Sequence, residues 1–118
     1  MSTQNETKLV ERIRTEIHDR YADIHGVWDL KTHGDAYQDG GIPDLLVAID
    51  GRLFAFEVKF KDRKSLTDEQ MMAKATPRQL ARLRRMGRAG IVVGVVWSVE
   101  QAFALIDANL NRGAELHV

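Results

Sequence analysis

The sequence predicts an α/β fold, and three observations carry that prediction. Asp50-Gly51 separates two apolar runs, Leu45–Ile49 and Leu53–Val58. Both central residues of a tight type I′ turn need positive φ, so Asp-Gly in this setting signals a β-hairpin. Leu9, Val10, Ile13, Ile17 and Tyr21 recur at spacings of three and four, which is the period of a helix with one buried face. Residues Gly90 to Trp97 form a nearly continuous apolar run rich in β-branched residues, and a helical pattern follows it.

Taken in order, the chain starts with a helix from Glu6 to about Tyr21. Val27–Lys31 reads as a short strand and 32–41 as a polar, glycine-bearing connection. The hairpin strands are expected at about 44–49 and 52–60. Thr67 suits the cap of a short turn of helix through 68–74. Thr76 and Pro77 read as the N-cap and first residue of a helix that runs to about Met86 and stops at Gly87. The 90–97 run is expected as a central strand buried on both faces. Ser98 should cap a helix over Val99–Ile106, Gly113 should make a turn, and 115–118 should form an edge strand. Trp28 and Trp97 are expected in the core.

Composition bounds the function. The chain has 118 residues, expected as a single domain over 1–118, with 44% hydrophobic and 29% charged residues. It has no cysteine, so it has neither a disulfide framework nor a thiolate zinc site. His18, His25, His33 and His117 lack the spacing of a histidine metal site. No apolar run approaches the length of a membrane span and the start is polar, so an intracellular, cytoplasmic protein without membrane contact is expected. The net charge is zero, unlike that of a typical nucleic-acid binder. The charge is unevenly spread, however: between 58 and 88 there are ten Lys and Arg against three Asp and Glu.

The hairpin has a chemical consequence. A two-residue loop pairs Ile49 with Arg52, and continuing the ladder places Asp44 directly opposite Glu57. Lys59 falls one alternation further along on the same face, whereas Leu45, Val47, Phe54, Phe56 and Val58 share the other. Two carboxylates facing each other across a strand pair repel. Lys59 offsets part of that repulsion, and a divalent cation with oxygen ligands would offset more.

Asp44 after Pro43, followed by Glu57-Val58-Lys59 on the second hairpin arm, resembles the PD-(D/E)XK nuclease motif. Gly-Gly-Ile-Pro-Asp-Leu-Leu at 40–46, Gly51-Arg52, Glu-Val-Lys and Thr76-Pro77-Arg78-Gln79 are similar to the VRR-NUC branch of that superfamily over roughly 6–106. The resemblance implies a restriction-endonuclease-like fold with a mixed central β-sheet flanked by helices in the order α-β-β-β-α-β-α. It also implies a Mg²⁺- or Mn²⁺-dependent endonuclease that leaves a 5′-phosphate. Asp44, Glu57 and the Val58 carbonyl would hold the metal and Lys59 would stabilise the reacting phosphate, with Gln79 near it. A first-helix glutamate would join them. Helix phase favours Glu6, which projects onto the apolar stripe, over Glu16 at its edge and Glu11 outside it. Lys61, Arg63, Lys64, Arg78, Arg82 and Arg85 would contact the DNA backbone. Branched DNA such as a Holliday junction or flap, a homodimer and a phage-type origin follow from resemblance alone. A nicking or restriction-like nuclease, or a non-catalytic DNA-binding module, are the alternatives.

Overall fold

In a computed structural model of the chain, the described residues are 2–32 and 42–116. Helix α1 (Ser2–Tyr21) leads into β1 (Val27–Lys31), β2 (Leu45–Ile49) and β3 (Arg52–Val58). Then come α2 (Asp68–Met72), α3 (Pro77–Arg88), β4 (Val92–Val96) and α4 (Val99–Leu116). The four strands form one sheet in the order β1-β2-β3-β4. The pairs β1–β2 and β2–β3 are antiparallel and β3–β4 is parallel. This is the helix-flanked mixed sheet that the resemblance implies.

The local reasons are those of the sequence. Asp50 and Gly51 have φ of 49° and 83°, the two positive values that a type I′ turn requires. The turn sets the pairing Leu45 with Phe56 and Val47 with Phe54, as expected. Asp50 is held further by its side chain, whose Oδ1 accepts from the Gly26 amide at 2.7 Å while Oδ2 meets His25 Nδ1 at 2.5 Å. Parallel strands cannot be joined by a tight turn, so β3 and β4 are linked by a crossover carrying α2 and α3. Both crossover helices begin in capping boxes. Thr67 and Thr76 accept from the amides of Gln70 and Gln79, whose side chains accept from the threonine amides in return.

The main core lies on one sheet face. Leu45, Val47, Ile49, Phe54, Phe56, Val58 and Val96 pack there against Val10, Ile13, Ile17 and Tyr21 of α1 and Val99, Ala102 and Ile106 of α4. Each such aliphatic or aromatic side chain, once fully buried, stabilises the fold by about 1.5–3 kcal/mol. At the rim, the Tyr21 hydroxyl donates to Asp107 at 2.6 Å, and the Arg20 guanidinium lies 4.6 Å from the Phe103 ring centre. These contacts tie α1 to α4. On the opposite face, α3 lies along β4, so close that a Cβ on Gly87 would sit 3.5 Å from Val93.

Several expectations are corrected. Strand β4 is at the sheet edge rather than the centre. Helices α3 and α4 flank it on opposite faces but leave Val92–Val95 half-buried, and among the described residues it pairs with β3 alone. Helix α3 continues through Gly87 to Arg88, and the left-handed residue after its C-cap is Gly90 with φ 98°. Helix α4 runs on through Gly113 to Leu116, so there is no turn at Gly113 and no strand at 115–116. Trp28 is 55% exposed rather than in the core. Residues 33–41, 117 and 118 lie outside the described residues, and with them most of the expected polar connection and His33 and His117.

Replacing Gly51 by Ala puts a Cβ on a left-handed residue. The expected loss is about 1–2 kcal/mol, read as a lower urea midpoint with an unchanged slope. An unchanged midpoint would mean that the turn does not constrain the register.

Candidate active site

The site is assembled at the open end of the hairpin, away from the Asp50-Gly51 turn. The observed pairing of Leu45 with Phe56 places Asp44 and Glu57 opposite each other one step further along. Four hydrogen bonds fix this end of the hairpin. The Thr32 amide, just past β1, donates to the Asp44 carbonyl at 2.9 Å, and the Thr32 hydroxyl donates to the Pro43 carbonyl at 2.7 Å. The Asp44 carboxylate accepts from the Val58 amide through Oδ2 at 2.8 Å. The Lys59 amide donates to the Val96 carbonyl at 2.9 Å, which extends the parallel β3–β4 ladder to the lysine.

Glu57 and Lys59 then project from the same face, with Lys59 Nζ 3.3 Å from Glu57 Oε2. Both are buried, at 2% and 9% relative exposure, although nearly all side chains of these types stay in solvent. The other oxygen, Glu57 Oε1, is buried without a hydrogen-bond partner. Burial pushes the Glu57 carboxyl up to about 8, and the negative charge of Asp44 pushes in the same direction. Lys59 opposes this by charge and hydrogen bonding, without cancelling it. Near neutral pH the Glu57 carboxyl therefore retains its proton.

A buried carboxyl oxygen without a partner, facing a second carboxyl, suits a hard cation bound by oxygen atoms. Among the described residues, Asp44 and Glu57 are the side chains placed to hold one, and the Val58 carbonyl belongs to the same segment. Among the described residues, no group of three or more His, Cys, Asp or Glu side chains gathers around a common point.

This corrects the expectation for Glu6. The apolar stripe of α1 packs on the face that carries Phe54, Phe56 and Val58, whereas Glu57 points to the other face. Helix phase aligns Glu6 with the apolar stripe of α1 but does not say which sheet face that stripe covers. The other first-helix acids are engaged elsewhere: Glu11 with Lys31 at 2.9 Å and Glu16 with Arg12 at 2.7 Å.

Gln79 is also placed differently. Its side-chain oxygen accepts from the Thr76 amide at 2.9 Å, which closes the capping box of α3. The Thr-x-x-Gln pattern carries that signal in the sequence, twice. Thr32, the anchor of Pro43 and Asp44, had no sequence signal, because its role depends on β1 lying beside β2.

The basic side chains expected at DNA lie on the crossover between β3 and β4. Arg63 and Lys64 are exposed and Lys61 is half-buried on the segment after β3. On α3, Arg78 and Arg85 are exposed and Arg82 is half-buried. Since α3 returns antiparallel to β4, its first turn with Arg78 lies toward the Glu57 end of the sheet.

The chain is similar to a solved structure described as a VRR_NUC domain, at 29% sequence identity, covering 82% of this chain and 92% of that one with a TM-score of 0.48. No protein-family model matches the sequence, and no curated protein matches it. Among the described residues, no helix is long and apolar enough to cross a membrane.

The Glu57 carboxyl has a pH signature. Its value lies above the ordinary 4.5 in the folded chain, so folding binds a proton between pH 4.5 and about 8. This contribution to stability is complete below about 4.5 and is lost as pH rises through about 8. In chelator, the melting temperature should fall from pH 5 to pH 9, and Glu57→Gln should flatten that fall. An equally steep fall in the variant would show that Glu57 is not the group responsible.

Proposed function

We propose that this chain is a divalent-metal-dependent endodeoxyribonuclease whose catalytic residues are Asp44, Glu57 and Lys59. The single observation that carries this reading is the buried Glu57, with an unpartnered oxygen, facing Asp44 and touched by Lys59. Its motif resemblance and the basic crossover beside it support the same reading.

In this mechanism Asp44, Glu57 and the Val58 carbonyl would hold a Mg²⁺ or Mn²⁺ ion. When bound, the ion acidifies the attacking water and shields the phosphate oxygens. Metal binding would require the Glu57 carboxyl to be ionised, so affinity should rise with pH through the range where Glu57 titrates. Lys59 keeps its ammonium at the site through Glu57 and stabilises charge that develops on the phosphate oxygens as the strand breaks. The Val58 amide orients Asp44. Lys61, Arg63, Lys64, Arg78, Arg82 and Arg85 hold neighbouring phosphates and release their counterions. Gln79 supports the site by fixing the first turn of α3, and Glu6 takes no part.

The finer reading, that the substrate is branched DNA and two copies act together on two strands, follows the VRR-NUC resemblance. A panel of linear duplex, flap and four-way junction, combined with sedimentation of the complex, tests it.

Asp44→Asn, Glu57→Gln and Lys59→Ala should each lower the cleavage rate in Mg²⁺ by at least about 100-fold, while DNA binding persists in chelator. The measurement is product formation on end-labelled DNA. Wild-type cleavage by a clean preparation of Glu57→Gln would remove the catalytic assignment.

A further inference from the structure

Strand β1 leaves an aromatic side chain where a hydrophobic core would normally cover it. Val27, Asp29 and Lys31 turn toward α1, and Asp29 is fastened there by Arg14 at 2.6 Å. Trp28 and Leu30 turn the other way and are 55% and 47% exposed. Trp28 is registered opposite Ala48, and Ala48 opposite Leu53. Side chains paired across antiparallel strands share a face. Trp28 therefore lies on the same sheet face as Asp44 and Glu57. Helix α3 packs on β4, at the far edge of the sheet, and α1, which packs on β1, does so from the opposite side.

We propose that Trp28 is a stacking platform for an unpaired nucleobase of the DNA strand cut at the Asp44–Glu57 pair. The proposal rests on the nuclease reading and deepens it, because it specifies a substrate with single-stranded nucleotides near the cut.

Size and position argue for this occupant. Trp28 and Leu30 expose roughly 200 Å² of apolar area, and their same-face neighbours Leu46, Ala48 and Leu53, which are half-buried, add less. A stable protein interface takes about 800 Å² from each partner, so the patch is too small to hold a second copy by itself. It matches the face of one base. The cross-strand neighbour of Trp28 is the small Ala48, and the indole is 55% exposed. At about 3.4 Å per residue, the four steps from Asp44 to Ala48 put Trp28 about 14 Å from the acid pair. That distance is about four nucleotides of a stacked strand, or fewer of an extended one. A base offers its face to an indole only when it is outside a duplex, and such stacking accepts every base.

The test measures binding in chelator, so it does not depend on cleavage. Labelled oligothymidylate and a blunt duplex are titrated with the wild type, Trp28→Ala and Trp28→Phe. Trp28→Ala should bind oligothymidylate about tenfold more weakly, Trp28→Phe should stay within about threefold of wild type, and duplex affinity should not move. Trp28→Ala should likewise reduce cleavage of a flap or frayed substrate more than cleavage of duplex. Equal single-strand affinity for wild type and Trp28→Ala, or an equal loss on both DNAs, overturns the proposal. So does an associated species in sedimentation velocity that Trp28→Ala converts to monomer, since the face would then belong to a second copy. Loss of cleavage in Glu57→Gln with no effect of Trp28→Ala leaves the nuclease reading standing and removes this inference alone. Wild-type cleavage by Glu57→Gln removes the catalytic reading instead.

Discussion

The two-residue turn at Asp50-Gly51 is the constraint on which the rest depends. Its positive φ values set the register of β2 on β3, and the register decides which side chains face the core. A slip of one residue would exchange the faces of β3, exposing Phe54, Phe56 and Val58 and burying Glu57 among α1 and α4. The hydrophobic pattern and the turn chemistry select the same register. Their agreement allows a destabilising feature to be held one step beyond the last paired residue of β2.

That feature is the juxtaposition of Asp44 and Glu57. A buried glutamate with one unpartnered oxygen, beside a second carboxyl, is costly for the metal-free fold. Lys59 relieves only part of it. The surroundings supply what keeps the pair together: Thr32 on the Asp44 backbone, the Val58 amide on its carboxylate, and β4 on the Lys59 backbone. None of these contacts neutralises the pair. The arrangement fits a site shaped for a positive ligand better than one shaped for stability.

The two halves of the sheet differ on the face that carries this pair. Over β3 and β4 the crossover provides cover, with Leu66, Met71, Ala75 and Leu83 buried and basic side chains outward. The parallel β3–β4 pairing requires such a crossover, so the basic segment is brought beside the acids by topology. Toward β1 the same face keeps Trp28 and Leu30 exposed. The acid pair thus lies between a basic helical side and an apolar sheet side, a distribution that the neutral total charge conceals.

Much of this was legible in the chain. Turn chemistry and alternation of period two are local, so the hairpin, its register and the facing of Asp44 and Glu57 could be read directly from 44–59. The α1 stripe and the caps Thr67, Thr76 and Ser98 are local in the same way. What could not be read depends on which element lies on which side of the sheet. Apolar periodicity says that Glu6 faces inward, yet only packing shows that inward is the face opposite Glu57. An apolar edge strand flanked by two helices has the same composition as one between two strands, so composition alone does not place β4. Trp28 looks like core by residue type, and its exposure follows from α1 covering just one face of β1. Short-range backbone geometry was thus written in the residues themselves, whereas the assignment of faces emerged only when helices competed for the same sheet.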